Sequence, residues 1–149
     1  MLSSANPQQD NKFQRTPMSR DNKWLLSRLD SIWSSYFPDM NQDNPVFIRF
    51  SRSSKFRLGS IKMISSRSVI NITGMFKKMS IPQEVVDHTI AHELVHYSHG
   101  FSSKKPRLHK YPHAGGIVQK EMKRRGMSHL IRAYRKWVAK YRTELADAD

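Results

Sequence analysis

The stretch His92-Glu93-Leu94-Val95-His96 decides how the rest of the chain is read. It lies in a segment, 82–99, that holds no proline or glycine after Pro82. Pro82 reads as the first helical residue with Ser80 as the cap upstream, and Gly100 can stop the helix. Val85, Val86, Thr89, Ile90, Leu94, Val95 and Tyr97 offer packing positions, so the segment predicts a helix of about five turns. Residues four apart on a helix stand one above the other. His92 and His96 therefore present adjacent imidazoles, able to take two corners of a zinc tetrahedron. Glu93 sits beside the first of them, where it can act as general base on a water at the metal without being a ligand.

A catalytic zinc ion needs a third protein ligand and one open position. A longer spacing with glycine at 99 and histidine at 102 would supply one, but the chain has His99 and Ser102. His99 and His88 lie one turn beyond each end of the pair, and a straight helix carries them away from a single ion, so they read as outer or solvated groups. The candidates downstream are His109, His113 and Glu121. His113 is preferred because it follows Pro112 and precedes Ala114-Gly115-Gly116 and a helical run, Ile117 to Arg125. Small residues there would let a second helix approach the first closely. His109 is the fallback, and Glu121 the carboxylate option.

Ile90-Ala-His-Glu-Leu-Val-His-Tyr97, a basic loop, and then Pro112-His-Ala-Gly-Gly-Ile-Val-Gln-Lys-Glu-Met122 resemble the core of the SprT-like (Spartan-type) zinc metallopeptidases. The resemblance extends more weakly upstream through Trp33-Ser-Ser-Tyr-Phe-Pro38, Arg57-Leu-Gly-Ser60 and Val69-Ile-Asn-Ile72, covering about residues 22–127. It implies one Zn2+ held by His92, His96 and His113, with Glu93 as base, in a minimal zincin-like α+β domain. That domain would comprise an N-terminal helix, a small three-stranded sheet, the active-site helix and further C-terminal helices. Ile117 stands where members of the family often carry an aromatic residue. Many members also carry a four-cysteine zinc ribbon; this sequence has no cysteine, which excludes the ribbon here along with disulfides and thiol catalysis.

The 149 residues suit one compact core, and no apolar run approaches a membrane span or a secretory signal, so an intracellular monomer is expected. Residues 1–20 read as a disordered polar leader, 21–127 as the peptidase domain, and 128–149 as a basic amphipathic helix packed on it or extending it. Asp21 should cap a helix running to Phe37. Val46–Phe50, Phe56–Ile64 (with Gly59 as a bulge) and Val69–Thr73 read as strands. Val69–Thr73 is the expected free edge, where an extended substrate could add a strand. The last helix should turn Leu130, Ile131, Tyr134, Trp137, Val138, Tyr141 and Leu145 to the core.

Charge is the second strong feature. The net charge is +14, and from Gly100 onward thirteen Lys/Arg face four Asp/Glu. Lys104, Lys105, Arg107 and Lys110 cluster between the metal ligands; Lys123, Arg124, Arg125, Arg132, Arg135 and Lys136 follow. Such a surface is the footprint of a nucleic-acid partner, expected here to be single-stranded or distorted DNA, with Phe101 and Tyr111 available for stacking. Tyr111, His109 and Arg107 are candidate donors to the oxyanion of peptide hydrolysis. The resemblance and the charge together imply a zinc endopeptidase acting on DNA-associated proteins, including DNA–protein crosslinks. The alternatives are a DNA-independent zinc peptidase and a nonenzymatic DNA-binding module with structural zinc.

Overall fold

A computed structural model describes residues 19–148, with side chains to 144. Among these residues the fold is α+β, with four α-helices and a three-stranded mixed sheet. Helix α1 (Asn22–Tyr36) leads to β1 (Val46–Ser51), β2 (Gly59–Ile64) and β3 (Arg67–Thr73). A short 3-10 turn precedes α2 (Gln83–Ser98), the helix carrying the His-Glu motif. Another at Ala114–Gly116 opens α3 (Ile117–Arg124), and α4 (Ser128–Ala148) closes the chain. Among the described residues no helix is long and apolar enough to cross a membrane.

Local chemistry sets most of these boundaries. The Asp21 carboxylate accepts the Trp24 amide at 2.8 Å and caps α1 as expected. Most of the predicted leader, residues 1–18, lies outside the described residues. Arg20 departs from that expectation: it is buried, lies over the Trp24 ring, and donates to the Phe76 and Ile81 carbonyls at 3.1 and 2.8 Å. Helix α2 starts one residue later than expected, with an extended Pro82 at the cap position and no side-chain cap from Ser80. Its C-terminus is a Schellman stop, as Gly100 at φ +85° lets the Gly100 and Phe101 amides reach the Tyr97 and His96 carbonyls at 3.1 and 2.9 Å. A Cβ on Gly100 would lie 2.3 Å from the Pro106 carbonyl oxygen, so only glycine fits.

The sheet order is β1-β3-β2, with β1 parallel and β2 antiparallel to β3. Val69–Thr73 is therefore the central strand, not the edge. Six of the seven β3 residues are buried, and both edges of the strand are paired. The β2–β3 hairpin turns on Ser65 and Ser66, both at positive φ, the geometry of a two-residue type I′ turn. Pairing runs without interruption from Gly59↔Ile72 to Ile64↔Arg67, so Gly59 is not a bulge. Strand β2 also begins later than expected, leaving Phe56, Arg57 and Leu58 in the connection from β1.

The core lies between sheet and helices and is closed by α4. Phe76 meets Trp137 edge to face at 5.7 Å, and Leu130 and Ile131 are buried. Residues 128–144 thus share the core of the preceding residues; Leu145, expected in the same stripe, lies beyond the described side chains. Arg28 makes a bidentate ion pair with Asp87 at 2.9 and 2.8 Å, joining α1 to α2. Asn44 is a buried polar hub that the sequence reading missed. It exchanges bonds with the Tyr97 hydroxyl (3.1 Å), donates to the Ser68 hydroxyl (2.9 Å) and accepts the Lys104 amide (3.2 Å). It thereby ties α2, β3 and the loop after α2 together. Replacing Asn44 with Ala strands several buried polar groups and is expected to lower stability by about 3 kcal/mol, read by urea denaturation of the metal-loaded protein.

Candidate metal centre and substrate groove

The site begins with the helical repeat of α2. His92 and His96 stack along one face, their ring centroids 4.7 Å apart. His113 comes from the loop that leads into α3. Its Nε2 lies 3.2 Å from His92 Nε2 and 3.0 Å from His96 Nε2. Tetrahedral zinc with imidazole ligands places its nitrogens about 3.3 Å apart, so the three donors match one shared ion. These three residues are the one His/Cys/Asp/Glu group among the described residues whose donor atoms converge within 4.8 Å, and they could hold a metal ion.

The other ligand candidates are drawn elsewhere. His109 packs edge-on against His99 at 4.5 Å. Glu121 accepts from both Arg124 and Arg125. His88 and His99 are buried rather than solvated, and His88 stacks flat on Tyr134 with centroids 4.0 Å apart. Gly115 and Gly116 serve their backbone, not close packing: both sit at φ +68°, and a Cβ on either would meet open space.

Burial tunes the groups on α2. It drives His92 down to about 4, helped by the neighbouring His88 and His113, and drives His96 down to about 3 with help from His92, His113 and His99. Both are thus neutral, metal-ready ligands near pH 7. Burial alone pushes Glu93 up to about 7, close to the value that suits a group taking and returning a proton at neutral pH. Its carboxylate faces β2, where a Cβ on Gly59 would lie 3.2 Å from Glu93 Oε2 and 2.6 Å from Thr89 Cγ2. Glycine at 59 is what lets the strand approach Glu93 this closely.

His88 carries a measurable pH effect of its own. Burial, reinforced by the Arg135 charge, lowers it to about 4. Between the unfolded value of 6.5 and that value, the unfolded chain takes up a proton that the folded chain refuses, so His88 costs stability as pH falls through this window. His88→Phe keeps a ring against Tyr134 and removes the titration. Relative to wild type, its stability is expected to be about 2 kcal/mol higher at pH 5 than at pH 8, read from urea midpoints at both pH values.

A groove crosses the site in two halves that meet at Arg57, Gly59, His92 and Glu93. One half, about 430 Å³, runs past Phe56, His88 and Tyr134; the other, about 480 Å³, runs past Phe101, Arg107 and His113. The β1–β2 connection and Gly59 wall the first half, and residues 59–62 of β2 wall the second. Leu58 accepts the Thr73 amide, so by antiparallel alternation Gly59 and Ile61 turn their main-chain groups to the open edge. The Ser102 hydroxyl already caps the Ile61 carbonyl at 3.2 Å, which leaves the Gly59 end open beside Glu93.

Of the three oxyanion candidates, Arg107 lines the groove, with its guanidinium 4.7 Å from the Phe101 ring centre. Tyr111 is exposed under Lys110 and lines neither half, and His109 faces His99. Several of the predicted nucleic-acid contacts also have partners within the fold. Lys105 pairs with Asp43 over the Tyr97 ring. Arg125 clamps Asp39, Glu121 and the Tyr36 carbonyl. Arg124 pairs with Glu121, and Arg135 donates to Gln119. Lys104, Lys110, Lys123, Arg132 and Lys136 are exposed. Phe101 is buried and offers no face for stacking. No protein-family model matches the chain, and no solved structure matches it.

Proposed function

We propose that this chain is a zinc-dependent endopeptidase of the SprT-like, zincin kind, acting on proteins associated with DNA. The observation that carries the reading is the convergence of three imidazole Nε2 atoms beside a buried carboxylate at the open end of a strand edge. A site that served only to hold the fold would need neither Glu93 nor a groove.

His92, His96 and His113 would hold the ion. When bound, zinc supplies an acidified water and a Lewis acid for the scissile carbonyl. The chain's own residues do the rest. Glu93 accepts the proton of the attacking water and returns it to the leaving amine, which its value near 7 permits in both directions. The Gly59 edge pairs with the main chain of an extended substrate, a mode of binding that tolerates many sequences. Of the three oxyanion candidates, Arg107 is the one that lines the groove and is able to offer charge to the developing oxyanion. The net charge of +14 supports a DNA partner, and holding substrate on DNA would supply selectivity that a permissive groove lacks.

The test is cleavage of a DNA-binding protein by the zinc-loaded chain, with and without single-stranded DNA. Cleavage that requires DNA supports the full reading. DNA-indifferent cleavage, insensitive to salt, reduces it to a DNA-independent peptidase. DNA binding without cleavage favours a nonenzymatic module with structural zinc.

A further inference from the structure

We infer that the connection between β1 and β2, residues 52–58, is a docking turn for a single nucleic-acid strand, with Phe56 as the surface on which an unpaired base stacks. The inference rests on the DNA-directed part of the proposed function and gives it a location outside the basic segments downstream of Gly100.

Phe56 is 88% exposed, the most exposed large apolar side chain among the described residues. A ring so placed usually belongs to a loose loop, but this turn is braced. Thr73 Oγ1 accepts the Ser54 amide at 2.8 Å and donates to the Ser54 carbonyl at 3.0 Å. Ser54 Oγ in turn accepts the amides of Phe56 and Arg57 at 3.3 and 2.9 Å. From α4, the Tyr141 hydroxyl donates to the Lys55 carbonyl at 3.2 Å. The backbone is held from β3, from α4 and by its own serine, while the ring faces water. The ring buries almost none of its surface within the folded chain, so both its faces are open to a flat partner from outside.

The surroundings select that partner. Arg52, Lys55 and Arg57 lie in the same turn as Phe56; all are exposed and none forms an ion pair among the described residues. Glu93 is the one acidic side chain lining this half of the groove, and it is buried. Cations spaced about an exposed aromatic ring match a phosphate backbone with free base faces. A duplex would satisfy the charges but leaves no unpaired base to stack. An apolar substrate side chain would draw the ring down into the groove, whereas Phe56 stands at its rim. Because Arg57 and Gly59 both line the groove, a strand held here lies beside Glu93, and protein attached to that strand is delivered to the cutting site.

The experiment is fluorescence anisotropy of a labelled oligothymidylate, and of a duplex, with the full zinc-loaded chain carrying Phe56→Ala, Phe56→Trp or the wild-type residue. Loss of one stacked base predicts that Phe56→Ala binds the single strand about tenfold more weakly, with duplex affinity changed less than about twofold. Phe56→Trp should restore single-strand binding, which a mere folding defect would not allow. Wild-type affinity in Phe56→Ala overturns the docking turn while leaving a DNA partner standing. If Phe56→Ala instead raises KM for a DNA-free peptide, the ring belongs to the substrate side of the groove. If the wild-type chain binds no oligonucleotide, both the turn and the DNA-directed reading fail, whereas peptide cleavage is untouched by that result.

Discussion

Glu93→Gln is expected to retain the metal and lose cleavage by about 10³-fold, the effect of removing a positioned general base. The amide is nearly isosteric with the carboxylate, so it fits the same pocket against Gly59 and Thr89. It cannot accept the water proton. It also removes a buried ionisable group, so the fold should be at least as stable as wild type. Metal content measured by atomic absorption, beside turnover of an unstructured protein substrate, separates the two effects. Turnover near the wild-type rate with metal retained would remove Glu93 from the role of base.

His113→Ala should weaken metal affinity by more than about 100-fold, beyond what the loss of an outer supporting group costs. His109→Ala should leave it within about threefold, because that ring lies against His99. Competition titration with a zinc chelator reads both. The comparison discriminates between the two downstream histidines, which lie only four residues apart. Equal losses would mean that the loop rearranges and that both rings visit the ion.

The pairing of His92 with His96 was legible because it is local: four residues on a helix fix the geometry, whatever surrounds them. His113 was legible from its neighbours, a proline before it and two glycines after it. The reason for those glycines was not, since left-handed backbone and close packing leave the same signature in sequence. Strand order was the largest miss. Three β-prone segments can be read one by one, but that β3 inserts between β1 and β2 follows from where the connections pack. The free edge therefore passed from Val69–Thr73 to Gly59–Ile64. The ion pairs within the basic surface were hidden for a similar reason. Lys105 and Arg125 find Asp43 and Asp39, 62 and 86 residues away in the chain, and no local pattern announces such partners. Phe56 was hidden by its neighbours, because β-prone residues after it extended the apparent strand across the turn.

The loop that ends in His113 begins at the glycine stop of α2, and its path back is held by the Leu108 amide on the His99 carbonyl at 2.9 Å. A shared ion would join residues 17 apart, His96 and His113, making a reversible cross-link. By analogy with a disulfide closing a loop of that length, the constraint on the unfolded chain is about 3 kcal/mol. Metal supply would then govern how long the protein survives: when zinc is scarce, the segment between the three histidines would be the first to open, and the protein the more readily cleared.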